Sequence, residues 1–216
     1  MARSYNGTTD RTSFPMSMNS DAITLFARQR STSLTVDQII ASVCVAAASD
    51  TSLTLQCGGN SSADKLFFRR GNSSTFASGL SVASYASGVW ETSAIKTVTQ
   101  SSFFGYLNAV EAAGGTTGVS QTTVTFNTAV IAAFLGSSAF TPSFIGDICS
   151  VAIWITNLTQ DEITALDRGF SPRRIRPQSL RYYAPLVRDV QELFTGAAIT
   201  EAGTPSAAAG PRLYGM

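Results

Sequence analysis

Residue types that support catalysis are sparse in this chain of 216 residues. Histidine is absent, which excludes a Ser-His-Asp arrangement, a Cys-His arrangement and any imidazole base. Glycoside hydrolysis uses two closely spaced carboxylates, whereas Glu91 and Glu111 are isolated in the sequence. Asp161, Glu162 and Asp167 lie in a predicted helix, where capping and solvent exposure account for them. The sequence therefore predicts no catalytic residues and no enzymatic activity.

The three cysteines lie in apolar, strand-like stretches without C-x-x-C spacing. They are Cys44, Cys57 and Cys149. An odd number does not complete a set of intrachain disulfides, and metal ligation is disfavoured because histidine is absent. We expect three buried free thiols, no metal site and no cofactor.

Arginines are concentrated near the C-terminus. Residues 1–167 carry eight Lys or Arg and eleven Asp or Glu, whereas residues 168–216 carry seven Arg and three acids. The arginine stems either lie on the protein's own surface with solvated heads, or dock onto an acidic neighbouring subunit. The second interpretation gives six candidate partner-binding residues: Arg173, Arg174, Arg176, Arg181, Arg188 and Arg212. No aromatic-interleaved motif accompanies them, so nucleic-acid binding is not expected.

The best-specified local structure runs from Phe144 to Pro172. A β-branched run from Ile148 to Ile155 is apolar on both faces, which predicts a strand packed between layers. Thr159 and Glu162 have the spacing of a capping box, and Leu158 and Ile163 that of a hydrophobic staple. Gly169 and Pro172 terminate the helix, which we expect to span residues 160–168.

The remainder of the chain is a series of short β-like segments separated by turn residues. Charged residues make up only 13% of the composition, which is more typical of strand-rich proteins than of helical ones. About ten short strands and one helix predict an all-β antiparallel sandwich or jelly roll. The segment 130–135 is counted among the strands, and Trp90 and Trp154 among the core residues. The longest apolar runs are too short to span a bilayer, so we expect a soluble protein without a membrane partner.

Several segments, in this order, resemble the concanavalin A-like lectin/glucanase (laminin G-like) sandwich domains of bacteriophage and prophage proteins. These are YNGTTD at residues 5–10, the paired segments 23–28 and 38–43, GVWETSAIK around Trp90, GYLNAVEA, and GDICSVAIWITNLTQDEITALDRG. Phe26 stands where the family usually has Trp, and Ala109 where Gly is common. The resemblance covers roughly residues 3–170, and only its last motif is specific.

The resemblance implies a concanavalin A-like jelly roll with one short helix over residues 1–170. Residues 171–216 are then an Arg/Pro-rich extension, anchored by Tyr182, Tyr183 and Leu186, and an extended C-terminal arm. The expected function is a non-enzymatic bacteriophage virion structural protein, either a capsid decoration or cement protein or a tail or spike component. Its expected partners are the major capsid protein or other virion proteins and further copies of itself, and its expected location is the virion surface.

The alternative function is a carbohydrate-binding, lectin-like adhesion module for host or environmental glycans. Exposed aromatic rings would provide stacking platforms, and the candidates are Tyr85, Phe76 and Trp90. Lectins of this family often bind calcium through clustered oxygen ligands. The loop residues available for such a site are Asp10, Asp21, Asp64, Asn60 and Asn72, although they do not form a recognisable ligand run.

Overall fold

The computed structural model describes residues 1–19, 22–46, 51–58, 64–72, 75–99, 102–113, 124–135, 140–186, 193 and 195–211. Within these residues there are seventeen strands, one α-helix and one turn of 3-10 helix, Pro172–Arg174. The helix α1 spans Gln160–Asp167. The strands are β1 Ala2–Asn6, β2 Arg11–Asn19, β3 Thr24–Ser31, β4 Gln38–Cys44, β5 Ser52–Cys57, β6 Lys65–Asn72, β7 Thr75–Ser84, β8 Glu91–Thr99, β9 Ser102–Leu107, β10 Val110–Ala113, β11 Thr125–Ile131, β12 Ala133–Leu135, β13 Phe140–Pro142, β14 Ile145–Trp154, β15 Leu180–Ala184, β16 Thr200–Ala202 and β17 Ser206–Ala208. No helix in the described part of the chain is long and apolar enough to cross a bilayer.

Two antiparallel sheets face each other. Sheet I has the strand order β10-β9-β8-β3-β14-β1-β17, with β15 also paired to β14, and sheet II has the order β16-β2-β11-β4-β5-β6-β7. The main core lies between them and contains Phe14, Leu55, Phe68, Ile95 and Ile153, among others. The predicted all-β antiparallel sandwich with one short helix is therefore confirmed.

The ends of helix α1 are formed by the predicted residues. The Glu162 amide donates to Thr159 Oγ1 at 3.3 Å, and the Thr159 amide donates to Glu162 Oε2 at 2.7 Å. Leu158 and Ile163 are both buried, and Gly169 has a φ of 94°. These observations confirm the capping box, the two staple residues and the left-handed glycine after the helix.

The helix covers the outer face of sheet I. A second apolar cluster lies between them and includes Phe26, Trp154, Leu166 and Tyr183. Arg28, on β3, donates from Nη2 to the carbonyl oxygens of Leu166 and Asp167, at 2.6 and 2.7 Å. Since the last carbonyls of a helix lack intrahelical donors, this buried guanidinium fixes the C-terminal end of the helix on the sheet.

Residues after 170 add strands to both sheets. Strand β15 pairs with residues 151–154 of β14, while β1 pairs with residues 145–148 along the same side. Strand β16 pairs with β2 in sheet II, and β17 pairs with β1 in sheet I. Tyr182, Tyr183 and Leu186 are buried, which confirms that they anchor the extension. The division of the chain into a sandwich of residues 1–170 and an extension of residues 171–216 stays a prediction.

Two sequence-based assignments are wrong. Residues 130–135 do not form one strand, because Ala132 has a φ of 64° and separates β11 from β12. Trp90 is half-buried in the turn before β8 instead of in the core, and the Arg30 guanidinium carbon lies 5.2 Å from its ring centroid. Side chains alternate between the two faces of a sheet only within a regular strand, and Trp90 precedes the first residue of β8, so this rule does not direct it into the core. Trp154 is fully buried, as predicted.

Candidate functional site

A groove lies on the outer face of sheet II, and strand alternation determines its floor. On β5, Leu53, Leu55 and Cys57 point into the core, so Thr54 and Gln56 face outward. On β6, Leu66 and Phe68 point inward, so the neighbouring Phe67 and Arg69 lie on the opposite face. Ile39, on β4, completes the described floor.

The β12–β13 hairpin forms a wall of the groove. Ala133 and Leu135 pack against Cys44 and Val130 on the outer face of β4 and β11. Phe134, between them in sequence, lines the groove instead. The hairpin therefore covers the β4 and β11 side of the outer face of sheet II.

The groove combines planar polar groups with an aromatic ring. It has a volume of about 290 Å³, and it is lined by Asp37, Ile39, Thr54, Gln56, Arg69, Phe134, Thr141 and Ser143. The Arg69 guanidinium carbon lies 5.8 Å from the Phe134 ring centroid. One carboxylate, one guanidinium, one amide and several hydroxyl groups thus surround a small apolar surface, an arrangement that provides both donors and acceptors for a neutral polyhydroxylated ligand.

The described candidate arginines lie on the 3-10 turn, on the segment after it and on β15. Arg173 and Arg174 are exposed on the 3-10 turn, and Arg181 is exposed on β15, where its Nη1 donates to the Gln178 carbonyl oxygen at 3.4 Å. Arg176 pairs with Glu162 of the capping box and has a φ of 41°. Arg188 and Arg212 lie outside the described residues. Partner binding by these arginines stays a prediction.

Tyr85 and Trp90, two of the aromatic candidates for sugar stacking, are not among the described residues that line the groove. Tyr85 is 2% exposed, and burial raises the pKa of its hydroxyl well above the ordinary value, so it does not form a stacking platform. Trp90 lies beside Arg30, which pairs with Asp147. The side chain of Phe76 lies outside the described part of the structure.

The cysteines are free and buried, as predicted. Burial raises the pKa of Cys44 and of Cys57 to about 12 and that of Cys149 to about 11. Because the thiolate is the reactive form, these thiols act as small apolar side chains in the fold.

The structure describes two of the loop residues that were considered as calcium ligands, Asp10 and Asp64. Asp10 is 4% exposed, and its carboxylate accepts from the amides of Asn6 and Thr204 at 3.2 and 2.8 Å. Asp64 is exposed, while Asp21, Asn60 and the side chain of Asn72 lie outside the described residues. Among the residues that the structure describes, no three His, Cys, Asp or Glu side chains are grouped closely enough to hold a metal ion.

Two carboxylates that are isolated in the sequence accept hydrogen bonds from nearby residues in the structure. Glu91 accepts from the Ala86 amide and from Asn108 Nδ2, and burial raises its pKa. Glu111 accepts a hydrogen bond from Tyr106 and lies 3.7 Å from Lys96 Nζ. Both lie outside the groove lining, so the groove has Asp37 as its one acidic side chain among the described lining residues.

The sequence analysis did not predict the residues that line the groove, although the sequence contains part of the pattern that indicates them. The β5 sequence SLTLQC alternates polar and apolar residues, which predicts one polar, outward-facing side. Adjacent Phe67 and Phe68 require that one ring point away from the core. The contribution of Phe134 depends on a hairpin whose position on β4 is not encoded locally.

The two facing sheets and the single short helix define an antiparallel β-sandwich of the jelly-roll type. The chain belongs to the concanavalin A-like lectin/glucanases superfamily, whose laminin G-type family model matches residues 6–164. The bacteriophage type of this family stays a prediction. A search of curated protein sequences returned no match.

Solved structures share the fold at low sequence identity. A heptameric SAP-like pentraxin from Limulus polyphemus superposes with a TM-score of 0.63 at 14% identity, covering 77% of this chain and 81% of that one. The CBM40 of a Ruminococcus gnavus IT-sialidase, bound to α2,3-sialyllactose, gives a TM-score of 0.59 at 14% identity, with coverages of 77% and 96%. Domain 4 of the GH43 extracellular arabinanase AbnA from Geobacillus stearothermophilus, in complex with arabinotriose, gives 0.61 at 19% identity, with coverages of 77% and 76%. These similarities concern the fold.

Proposed function

We propose that the chain is a non-catalytic carbohydrate-binding module and that the groove on sheet II is its binding site. The observation that carries the proposal is the grouping of Gln56, Arg69 and Asp37 with the Phe134 ring in one groove of about 290 Å³. Sugars present vicinal hydroxyl groups at their edges and apolar C–H groups on their faces. Planar amide, guanidinium and carboxylate groups form hydrogen bonds with the hydroxyl groups, and an aromatic ring contacts the apolar C–H face.

Two of the similar folds were solved with saccharides, α2,3-sialyllactose and arabinotriose, which is consistent with this proposal. The groove carries one acidic and one basic side chain among its described lining residues. Their charges offset each other, which favours an uncharged glycan over a polyanion.

The test is an array of polysaccharides and oligosaccharides, probed with and without calcium, followed by calorimetry on the glycans that bind. Phe134→Ala removes the aromatic surface and is expected to weaken binding by about 2- to 13-fold, the equivalent of 0.5–1.5 kcal/mol. Gln56→Ala removes hydrogen bonds worth about 1 kcal/mol, or roughly fivefold. A chelator is expected to change nothing, since calcium sites need several oxygen ligands and this lining has one carboxylate.

Matched controls lie elsewhere on the surface. Phe170 is 44% exposed, and Gln178 is exposed on the C-terminal extension. Phe170→Ala and Gln178→Ala are therefore expected to leave affinity unchanged. A blank array, or groove variants that bind like their controls, would refute the assignment.

The virion role is a separate proposal that rests on the sequence resemblance. Capsid or tail proteins, further copies of the chain and a location on the virion surface all belong to it. Its test is the location of the protein in purified particles, together with a variant in which the exposed Arg173, Arg174 and Arg181 are replaced by Gln. The proposal fails if the protein is missing from particles, and partner binding by these arginines fails if the variant still associates with them.

A further inference from the structure

A row of three apolar side chains and one glutamine continues from the floor of the groove across sheet II. Ile39, Gln56, Phe67 and Leu80 are directly opposite one another on β4, β5, β6 and β7. Neighbouring strands lie about 4.8 Å apart, so the row extends for about 14 Å. Phe67 is half-buried and Leu80 is 40% exposed. An exposed leucine and a partly exposed phenylalanine thus follow the residues that line the groove.

The two ends of this row differ. At β4, the β12–β13 hairpin rises above the sheet, with Phe134, Thr141 and Ser143 lining the groove. At the other end, β7 is the last strand of sheet II. Among the described residues, a ligand that lies along the row therefore meets a wall at β4 and reaches the exposed Leu80 at β7.

The volume of the groove also limits what its closed end, the end walled by the hairpin at β4, holds. About 290 Å³ is at the lower limit of roughly 300 Å³ for pockets that enclose a drug-sized ligand. This space accommodates one sugar unit, whereas a unit inside a chain needs an exit on both sides.

We propose that the groove recognises the terminal unit of a glycan chain and not an internal segment. The terminal unit lies against Phe134 at the closed end, and the following units pass over Phe67 and Leu80 toward the β7 edge. This inference rests on the proposed carbohydrate-binding function.

The experiment compares an array-positive polysaccharide with its own partial acid hydrolysates as competitors, at equal total sugar mass. Hydrolysis increases the number of chain ends without changing composition. A tenfold increase in ends is expected to lower the half-inhibiting mass by about tenfold, because affinity per end stays constant while the number of sites rises. An unchanged or higher half-inhibiting mass refutes terminal recognition while leaving carbohydrate binding intact. A blank array refutes both proposals.

A variant at the open end gives an independent readout. Leu80→Ser is expected to reduce affinity for a trisaccharide fragment of the same polysaccharide by roughly fivefold, because apolar contact is lost, and to leave monosaccharide binding unchanged. The matched control is Val98→Ser, since Val98 is 42% exposed on β8 of the opposite sheet. Equal losses for both ligand lengths, or no loss for the trisaccharide, contradict the proposed orientation.

Discussion

Gly105 is predicted to be required for stability, because a side chain at this position would clash with Phe68 across the core. It lies on β9 of sheet I, and its backbone is not in the left-handed region. An added Cβ would lie 2.2, 2.3 and 2.4 Å from three atoms of the Phe68 ring. That ring is fully buried and packs edge-to-face against Phe103, with centroids 6.0 Å apart. The ring or the strand must therefore move by about 1 Å to restore ordinary contact.

Overpacking of this kind costs about 1–3 kcal/mol. For Gly105→Ala we expect the upper end, about 3 kcal/mol, because the Phe68 ring is fully buried and already packs against Phe103. At roughly 2–4 °C per kcal/mol for a protein of this size, the melting temperature falls by about 6–12 °C. Urea unfolding and thermal melting measure the two quantities.

A double-mutant cycle identifies the cause. Phe68→Leu removes the ring, so the double variant should be more stable than the two single losses predict, by about 1 kcal/mol or more. Phe67 and Arg69 are the neighbours of Phe68 on β6. A displacement of Phe68 should also displace these two side chains, so Gly105→Ala should weaken glycan binding as well. A loss of stability below about 0.5 kcal/mol, or additive single effects, would refute the packing argument.

Three further predictions concern stability. Thr159→Ala removes half of the capping box and should cost about 1 kcal/mol in urea unfolding, whereas Thr164→Ala, in the interior of the same helix, should cost less than half of that. Burial raises the pKa of Glu91, so the folded state holds its proton more tightly than the unfolded state; wild-type stability is lost as pH rises through the range above the ordinary Glu pKa. The stability of Glu91→Gln relative to wild type should therefore increase between pH 4 and pH 7, and a constant difference in urea unfolding would contradict this. A chain ending at residue 170 lacks four buried side chains: Leu180, Tyr182, Tyr183 and Leu186. Their burial contributes about 1.5–3 kcal/mol each, and the sum approaches the 5–15 kcal/mol stability of a whole domain. This chain should therefore lose cooperative melting, measured by circular dichroism, whereas a chain ending at residue 186 should keep it.

Local sequence rules correctly predicted the elements whose determinants are close together in the chain. The capping box, the staple residues and Gly169 act within about a dozen residues, so their spacing specifies helix α1 without reference to other strands. Burial of Trp154 and of the three cysteines follows from apolar runs within single strands. The absence of histidine was likewise decisive at the level of composition, since it removes whole classes of mechanism.

The candidate site, in contrast, depends on strand register. Gln56, Phe67 and Leu80 lie opposite one another only because β5, β6 and β7 pair as they do. A shift of one residue would turn Phe67 into the core and Phe68 onto the surface.

The sequence by itself thus determined the type of fold, the caps of its helix and the lack of an imidazole catalyst, because these follow from composition and from contacts between near neighbours. Tertiary structure alone decided that Phe134 on a separate hairpin meets Arg69, and that Gly105 leaves room for Phe68. These contacts join residues at least 37 positions apart in sequence. The register of the sheets and the separation between them bring these residues together, and neither can be read from a local window of residues.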